Sequence, residues 1–230
     1  MGSGLRAALD RGLLQIEEDL LRMREMIDRA LSKSLKSLVD RDTALAHEVI
    51  DEDKSINNLR YKIEEACLAL IATQQPTASD LRMIMAIMSV VADLERMGDY
   101  AAGISKTVLR MGDEPLLKPL IDIPKMVDLA RTMLRGSIQA LLDHDVPRAR
   151  EIASRDDEMD HLYQAIFDEL VEIMARKPES VHRATYLLWC AHNLERIGDR
   201  VTNIAERVVF VSTGDFKDLN IKEEGIGGLN

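Results

Sequence analysis

Hydrophobic side chains recur every three or four positions along most of the chain, the spacing of one face of an α-helix. Residue types typical of turns and helix caps interrupt this pattern, most clearly the pairs Asp42-Thr43, His144-Asp145 and Lys177-Pro178. The pattern predicts six helices, at residues 5–39, 44–72, 78–109, 123–143, 146–175 and 179–212.

Helices of about thirty residues would each reach about 45 Å, which favours bundle packing. The first three and the last three have similar lengths, and we interpret them as one unit written twice. The sequence therefore predicts an all-α fold of two tandem three-helix bundles, with repeats at 5–112 and 120–212 and an irregular tail at 213–230.

A short acidic segment occurs in both predicted repeats. Residues 93–99 read DLERMGD, and residues 193–199 read NLERIGD. On a helix, Glu95 and Asp99 share one face, as do Glu195 and Asp199. Two carboxylates so close repel each other, and a cation bound by several oxygen ligands is the simplest compensation.

Each acidic pair continues a helical stripe, which favours burial of the carboxylates. We call these the third-helix stripe (Leu81, Met85, Met88, Ala92, Glu95, Asp99 and Ala102) and the sixth-helix stripe (Val181, Thr185, Leu188, His192, Glu195, Asp199 and Thr202). The alternative is a polar contact that fixes helix register, in which Arg96 and Arg196 pair with the neighbouring acids. Gly98 and Gly198 fit either close approach to an ion or tight helix packing.

The second and fifth predicted helices also match, with residues 53–59 aligned on 156–162. This match is unequal in charge, because Asn57 aligns with Asp160, and Asp93 likewise aligns with Asn193. His192 aligns with Ala92, and an imidazole would favour Fe, Mn or Zn over Mg. A hydrogen-bonded core histidine is the favoured interpretation of His192.

Composition narrows the setting. A net charge of −10 disfavours nucleic acid as a partner. Cys67 and Cys190 are far apart in the sequence, which indicates a reducing cytoplasm. We find no signal-peptide pattern and no charge-free stretch of about twenty residues, so we expect no direct membrane insertion. With 3% aromatic residues, the core must be aliphatic, with gaps filled by Met83, Met85, Met88 and Met97.

Four segments together resemble the PhoU family of phosphate-uptake regulators: 53–59, 75–82, 93–99 and 193–199. The resemblance extends over about residues 9–211. It implies metal ions, divalent or trivalent (Fe, Mn, Zn or Mg), held by one site of Asp53, Glu95 and Asp99. It implies a second site formed by Asp156, Asp160, Glu195 and Asp199.

The resemblance also implies a function. We expect a non-enzymatic cytoplasmic adaptor between a phosphate ABC transporter ATPase and a sensor histidine kinase, which keeps the phosphate-starvation response off. A homodimer is expected, with any inner-membrane association peripheral and through partners.

Two alternatives compete with this function. A di-metal carboxylate enzyme on a helical bundle would need two Glu-x-x-His motifs, and residues 158–161 supply only one. A helical scaffold without metal would be indifferent to loss of the carboxylates. The sequence has no nucleophile-base pair and no glycine-rich phosphate loop, so the prediction is that the protein is not an enzyme.

Overall fold

The computed structural model describes residues 2–112, 114–215 and 219, and this part of the chain contains helices and turns but no strand. The helices are α1 (Gly2–Asp40), α2 (Thr43–Gln74), α3 (Ala78–Met111), α4 (Asp122–Leu142), α5 (Val146–Ser154), α6 (Asp156–Arg176) and α7 (Val181–Thr213). A short 3-10 helix, Pro178–Ser180, leads into α7. Most of the tail predicted from 213 lies outside the described residues.

Local capping explains where the helices begin and end. The Asp42 side chain accepts a hydrogen bond from the backbone N–H of Leu45 at 2.9 Å and caps α2, as the sequence predicts. α2 ends where Gln75 adopts a left-handed conformation. Asp145 caps α5 in the same way as Asp42 caps α2, accepting from the N–H of Arg148 at 3.0 Å.

The predicted fifth helix is divided by a one-residue turn at Arg155, whose N–H donates to the carbonyl of Ile152. Asp156 is therefore the first residue of α6 and not a mid-helix residue. A carboxylate in the first turn is favoured by the helix dipole. The turn thus places one of the predicted site residues at a helix start, which periodicity alone did not indicate.

The packing confirms the predicted tandem architecture. Helices α1, α2 and α3 contact one another, and α7 contacts α4, α5 and α6. The two groups meet where α3 packs on α7 and α1 packs on α4. α3 and α7 run antiparallel, because Asp93 meets Asn203 whereas Asn193, ten residues earlier on α7, meets Gly103, ten residues later on α3.

The core uses different faces of α3 and α7 from those predicted. Met83, Ile84, Ile87 and Leu94 are buried, but Met85 is 51% exposed and Leu81 lies at the surface. The first residues of the third-helix stripe, Leu81 and Met85, are therefore not part of the core. Val181, the first residue of the sixth-helix stripe, is also exposed. Apart from their buried last residues, Ala102 and Thr202, both stripes run along the outer edge of a helix pair, where apolar residues are only partly covered.

Candidate metal centres

The first candidate centre lies between α2 and α3. A Cβ atom built on Gly98 would lie 3.0 Å from Oδ1 of Asp53 and 3.1 Å from Cδ1 of Ile56. Gly98 therefore leaves room for a carboxylate and an isoleucine from the neighbouring helix. This closeness brings Asp53 beside the helix that carries Glu95 and Asp99.

The second candidate centre repeats this contact between α6 and α7. A Cβ atom on Gly198 would lie 2.5 Å from Oδ1 of Asp156 and 3.2 Å from Cγ of Met159. Asp53 and Asp156 thus occupy equivalent places over equivalent glycines. The reason for both glycines is close approach of a carboxylate together with tight apolar packing.

Each centre contains buried carboxylate oxygens that lack a hydrogen-bond donor among the described residues. They are Oδ1 of Asp53, Oε2 of Glu95, Oδ1 of Asp156 and Oε2 of Glu195. The glutamates are the more enclosed residues: the Glu95 and Glu195 side chains are 13% and 18% exposed, against 37% for Asp99. Buried oxygens without donors are costly, and a cation would satisfy them. The carboxylate oxygens of each centre therefore fit a metal ion that prefers oxygen ligands.

Arginines from the acidic segments occupy the outer side of both centres. Nη1 of Arg96 lies 2.9 Å from Oδ2 of Asp99, and Nη1 of Arg196 lies 3.0 Å from Oδ2 of Asp199. Nε of Arg96 is 3.6 Å from Oε2 of Glu95, an ion pair too long for a hydrogen bond. These pairs are the ones that the register-fixing alternative requires.

The two centres differ in charge. In the first, Nη1 of Arg60 on α2 lies 3.4 Å from Oε1 of Glu95. The 53–59 alignment extends to place Tyr163 opposite Arg60 and Asp160 opposite Asn57, whose amide donates to Asp53 at 3.4 Å. The second centre therefore has one more acid and lacks the additional arginine.

The pKa values of the aspartates follow this difference. Burial, with Asp160 and Asp199 nearby, raises the pKa of Asp156 to about 7. Burial and Asp99 also raise the pKa of Asp53, but Lys106 opposes the rise. Repulsion between carboxylates is therefore stronger in the second centre.

The structure brings the seven predicted ligands into two groups, but the side chains of neither group converge on a common metal position. In the described part of the chain, no three His, Cys, Asp or Glu side chains are arranged closely enough to hold one ion. Mutual repulsion and the pairs with Arg96 and Arg196 keep the carboxylates apart. Binding an ion would therefore require the carboxylates of each group to move closer together.

His192 is not the core histidine favoured from the sequence. Its side chain is 46% exposed, because the sixth-helix stripe lies at the edge of the α6–α7 pair. Nδ1 of His192 lies 3.6 Å from Oε2 of Glu195, and its ring is 6.1 Å from that of Tyr163. Partial burial, and then Arg196, lower the pKa of His192, which favours the neutral ring that binds metals.

Three polar residues near these elements were missed or misplaced from the sequence. Arg60 follows Asp53 by seven residues on α2, a spacing that could have indicated a shared face. Lys106 could have been found in the same way from Asp99. Asp93 does not belong to the first centre: it is buried between α3 and α7, where Arg200 and Asn203 donate to it at 3.3 and 3.2 Å.

The Glu-x-x-His motif of the enzyme alternative faces outward. Glu158 and His161 are both exposed. Glu158 pairs with Arg155 at 3.3 Å, and Nδ1 of His161 contacts the backbone carbonyl of Asp157. This motif therefore contributes no ligand to the interior of the bundle.

Comparison with known proteins decides the family. A family model described as the PhoU domain matches the chain twice, at residues 20–108 and 123–208. The chain belongs to the PhoU family. The PhoU match to each repeat agrees with the duplication inferred from the acidic segments.

Curated relatives are similar over nearly their whole length. A phosphate-specific transport system accessory protein PhoU homolog from Streptococcus pneumoniae serotype 4 is 35% identical over 216 residues, covering 94% of this chain and 100% of the relative. A homolog of the same description from Aquifex aeolicus is 35% identical over 218 residues, covering 94% and 99%.

Solved PhoU structures share the fold. The phosphate transport system regulatory protein PhoU from Streptococcus pneumoniae superposes with a TM-score of 0.85 at 34% identity, covering 91% of this chain and 99% of that one. PhoU from Pseudomonas aeruginosa gives 0.85 at 29% identity, covering 90% and 99%. Among the described residues of this PhoU protein, no helix is both long and apolar enough to cross a membrane.

Proposed function

We propose that this PhoU protein is a metal-binding, non-enzymatic regulator of phosphate uptake and of phosphate-starvation signalling. It acts in the cytoplasm as an adaptor between a phosphate ABC transporter ATPase and a sensor histidine kinase, and reaches the inner membrane only through these partners. Membership of the family and the phosphate-transport descriptions of its relatives support the regulatory role. A homodimer is part of the proposal.

The observation that carries the metal part is the repeated placement of an aspartate over a helix glycine. Next to it lies a glutamate with a buried oxygen that has no hydrogen-bond donor in the described part of the chain. Asp53, Glu95 and Asp99 would hold an ion in the first centre. Asp156, Asp160, Glu195 and Asp199 would hold one in the second, which His192 adjoins.

A bound Fe, Mn, Zn or Mg ion would supply positive charge that neutralises the clustered carboxylates. The chain's own residues do the rest: the glycines admit the aspartates, and the arginines exchange their carboxylate partners for solvent or for another protein. The side chains of Arg96 and Arg196 are 58% and 46% exposed. Such an exchange would therefore change the charge of a surface that a partner protein can contact.

The decisive experiment combines deletion with a double substitution in the host. Deleting the gene should raise phosphate-starvation gene expression in phosphate-rich medium, and the wild-type gene should restore repression. Glu95→Ala with Glu195→Ala should fail to restore it while the purified variant stays helical, because apolar packing supplies most helix stability. Asp157→Asn, at an exposed position beside the second centre, is the matched control and should restore repression.

The outcomes separate the competing functions. Full repression by the double variant would support the metal-free scaffold, and unchanged expression on deletion in a strain without a paralogue would refute the regulatory role. Elemental analysis of protein purified without chelator tests the metal part separately. Sub-stoichiometric metal under all such conditions would contradict it. Binding of the transporter ATPase or the kinase to the purified protein, without substrate turnover, tests the adaptor role.

A further inference from the structure

A second kind of site lies far in sequence from the acidic segments, in a cavity of about 360 Å³ between α1, α4 and α5. Three arginines line it, one from each helix: Arg24, Arg135 and Arg148. The other lining residues are Leu21, Thr132, Gly136 and Gln139, so no carboxylate lines the cavity. In a chain with 40 acidic and 30 basic side chains, this grouping runs against the overall charge.

The guanidinium groups retain unused donors. Nε of Arg24 is buried and has no hydrogen-bond partner in the described residues, although its Nη2 lies 3.2 Å from Oε1 of Glu25. Arg135 binds Asp28 through Nε and Nη2 at 3.1 and 2.8 Å, which leaves Nη1 for another acceptor. The side chain of Arg148 has no hydrogen bond or ion pair within the described ranges.

Nearby acids in the described part of the chain offset part of the arginine charge, but none of them accepts from Nε of Arg24 or from Nη1 of Arg135. Asp28 is shared between Arg135 and Arg131, with Nε of Arg131 at 3.0 Å. Asp145 caps the backbone of Arg148, and Asp143 accepts from the amide of Gln139 at 3.0 Å. A buried arginine donor without an acceptor is unfavourable, and a planar guanidinium suits an oxyanion well.

We propose that this cavity is a binding site for a phosphate oxyanion, held by Arg24, Arg135 and Arg148. The cavity has room for several waters, so it admits a phosphate group with part of its hydration shell. The site joins α1 of the first repeat to α4 and α5 of the second. It is independent of the acidic centres and of the metal proposal.

The test is calorimetric titration of the full chain, treated with chelator so that metal-bound phosphate cannot contribute. Inorganic phosphate and glycerol phosphate are the two probes, in buffers of matched ionic strength. Saturable binding of either supports the site, and the tighter probe shows whether the ligand is free phosphate or a phosphoryl group on an organic molecule. No saturable binding of either probe up to about 10 mM, a millimolar-affinity limit, would overturn the proposal.

Substitutions locate the binding. Arg148→Gln should weaken it about tenfold or more, because it removes a charge-assisted contact at an exposed position where folding is not at risk. Arg150→Gln is the control, since Arg150 is an exposed arginine on the same helix that does not line the cavity. Arg24→Gln should weaken binding similarly. Equal affinities for the Arg148 and Arg150 variants would refute the assignment.

Discussion

Oδ1 of Asp156 lies where a Cβ atom on Gly198 would approach it to 2.5 Å, whereas the equivalent approach of Asp53 to Gly98 is 3.0 Å. The aspartate oxygen therefore lies closer to the helix glycine in the second centre than in the first. A methyl group at Gly198 must displace the Asp156 carboxylate, the end of a side chain that can rotate.

Gly198→Ala should consequently lose metal at the second centre with little loss of stability. Alanine is favoured over glycine within a helix by about 1 kcal/mol, which offsets part of the strain. Gly98→Ala is the comparison and should retain more metal at its own centre, because the approach of its Cβ position to the aspartate oxygen is longer, 3.0 Å against 2.5 Å. Metal content by elemental analysis and urea unfolding measure the two effects. A Gly198 variant with unchanged metal content would contradict the assigned role of Asp156.

Asp156 also predicts how stability depends on pH in chelator. Its pKa is about 7 in the folded protein against an ordinary value of 3.8, so the folded state holds a proton that the unfolded state loses. The stability from this proton is present below about pH 4 and is lost as the pH rises through 7.

Asp156→Asn should therefore stabilise the chelated protein at pH 8, relative to its effect at pH 4, by about 1–3 kcal/mol, a range reduced for partial exposure to solvent. Urea unfolding at both pH values measures this, with Asp157→Asn as the control for removal of a neighbouring charge. Added Mn²⁺ should reverse the sign, stabilising the wild type more than the variant. If the substitution changes the free energy of unfolding equally at both pH values, the pKa of Asp156 is not raised in the folded protein.

The charge difference between the centres predicts unequal affinities. The second centre, with Asp160 and without an equivalent of Arg60, should bind Mn²⁺ more tightly in competition with a fluorescent chelator. Asp156→Asn should remove the tighter phase and Asp53→Asn the weaker one. Two phases of equal affinity, or loss of the same phase in both variants, would disprove this order.

Arg60→Tyr places in the first centre the residue found in the second, and should tighten Mn²⁺ binding there about tenfold, because it removes a cation close to Glu95. The same competition titration measures it. Lys54→Gln is the control, since Lys54 also lies on α2 but is 77% exposed and pairs with Asp51. Similar changes in both variants would indicate a general effect of charge on α2.

Asp93 should matter for stability and not for metal binding. Asp93→Ala should cost about 1–3 kcal/mol, because it leaves the donors of Arg200 and Asn203 without their acceptor inside the α3–α7 contact. Asp128→Ala, at a carboxylate that is 76% exposed and 3.8 Å from Arg131, should cost much less. Urea unfolding compares the two. A loss of metal without loss of stability in Asp93→Ala would return this residue to the first centre.

Periodicity and capping residues were sufficient to predict the helices and their tandem arrangement. Asp42 and the residues around Gln75 are local signals, and helices depend on local contacts. The turn at Arg155 was missed because Arg155 itself has αR backbone angles, which leave the apolar spacing almost unchanged.

The candidate centres were harder to predict, because which side of a helix is covered depends on the packing of its neighbours. Spacing placed Glu95 with Asp99 correctly on one face, but it could not show that Met85 on the same stripe is exposed. The depth of His192 and the contact of Arg60 with Glu95 likewise depend on how α2 and α6 lie against their partners.

Helices α3 and α7 are equivalent in the two repeats, but the residues through which they contact each other are no longer the same. Asp93 faces Asn203, but its counterpart Asn193 faces Gly103, where a Cβ atom would come within 3.3 Å of the Asn193 amide. Two copies of the first repeat would set each Asp93 against a glycine and leave both carboxylates buried without an amide. Two copies of the second would set asparagine against asparagine at a place where the present contact of Asn193 is already close to Gly103. Each half has become the specific partner of the other, so the segment between α3 and α4 joins two halves whose contact depends on pairing unlike residues.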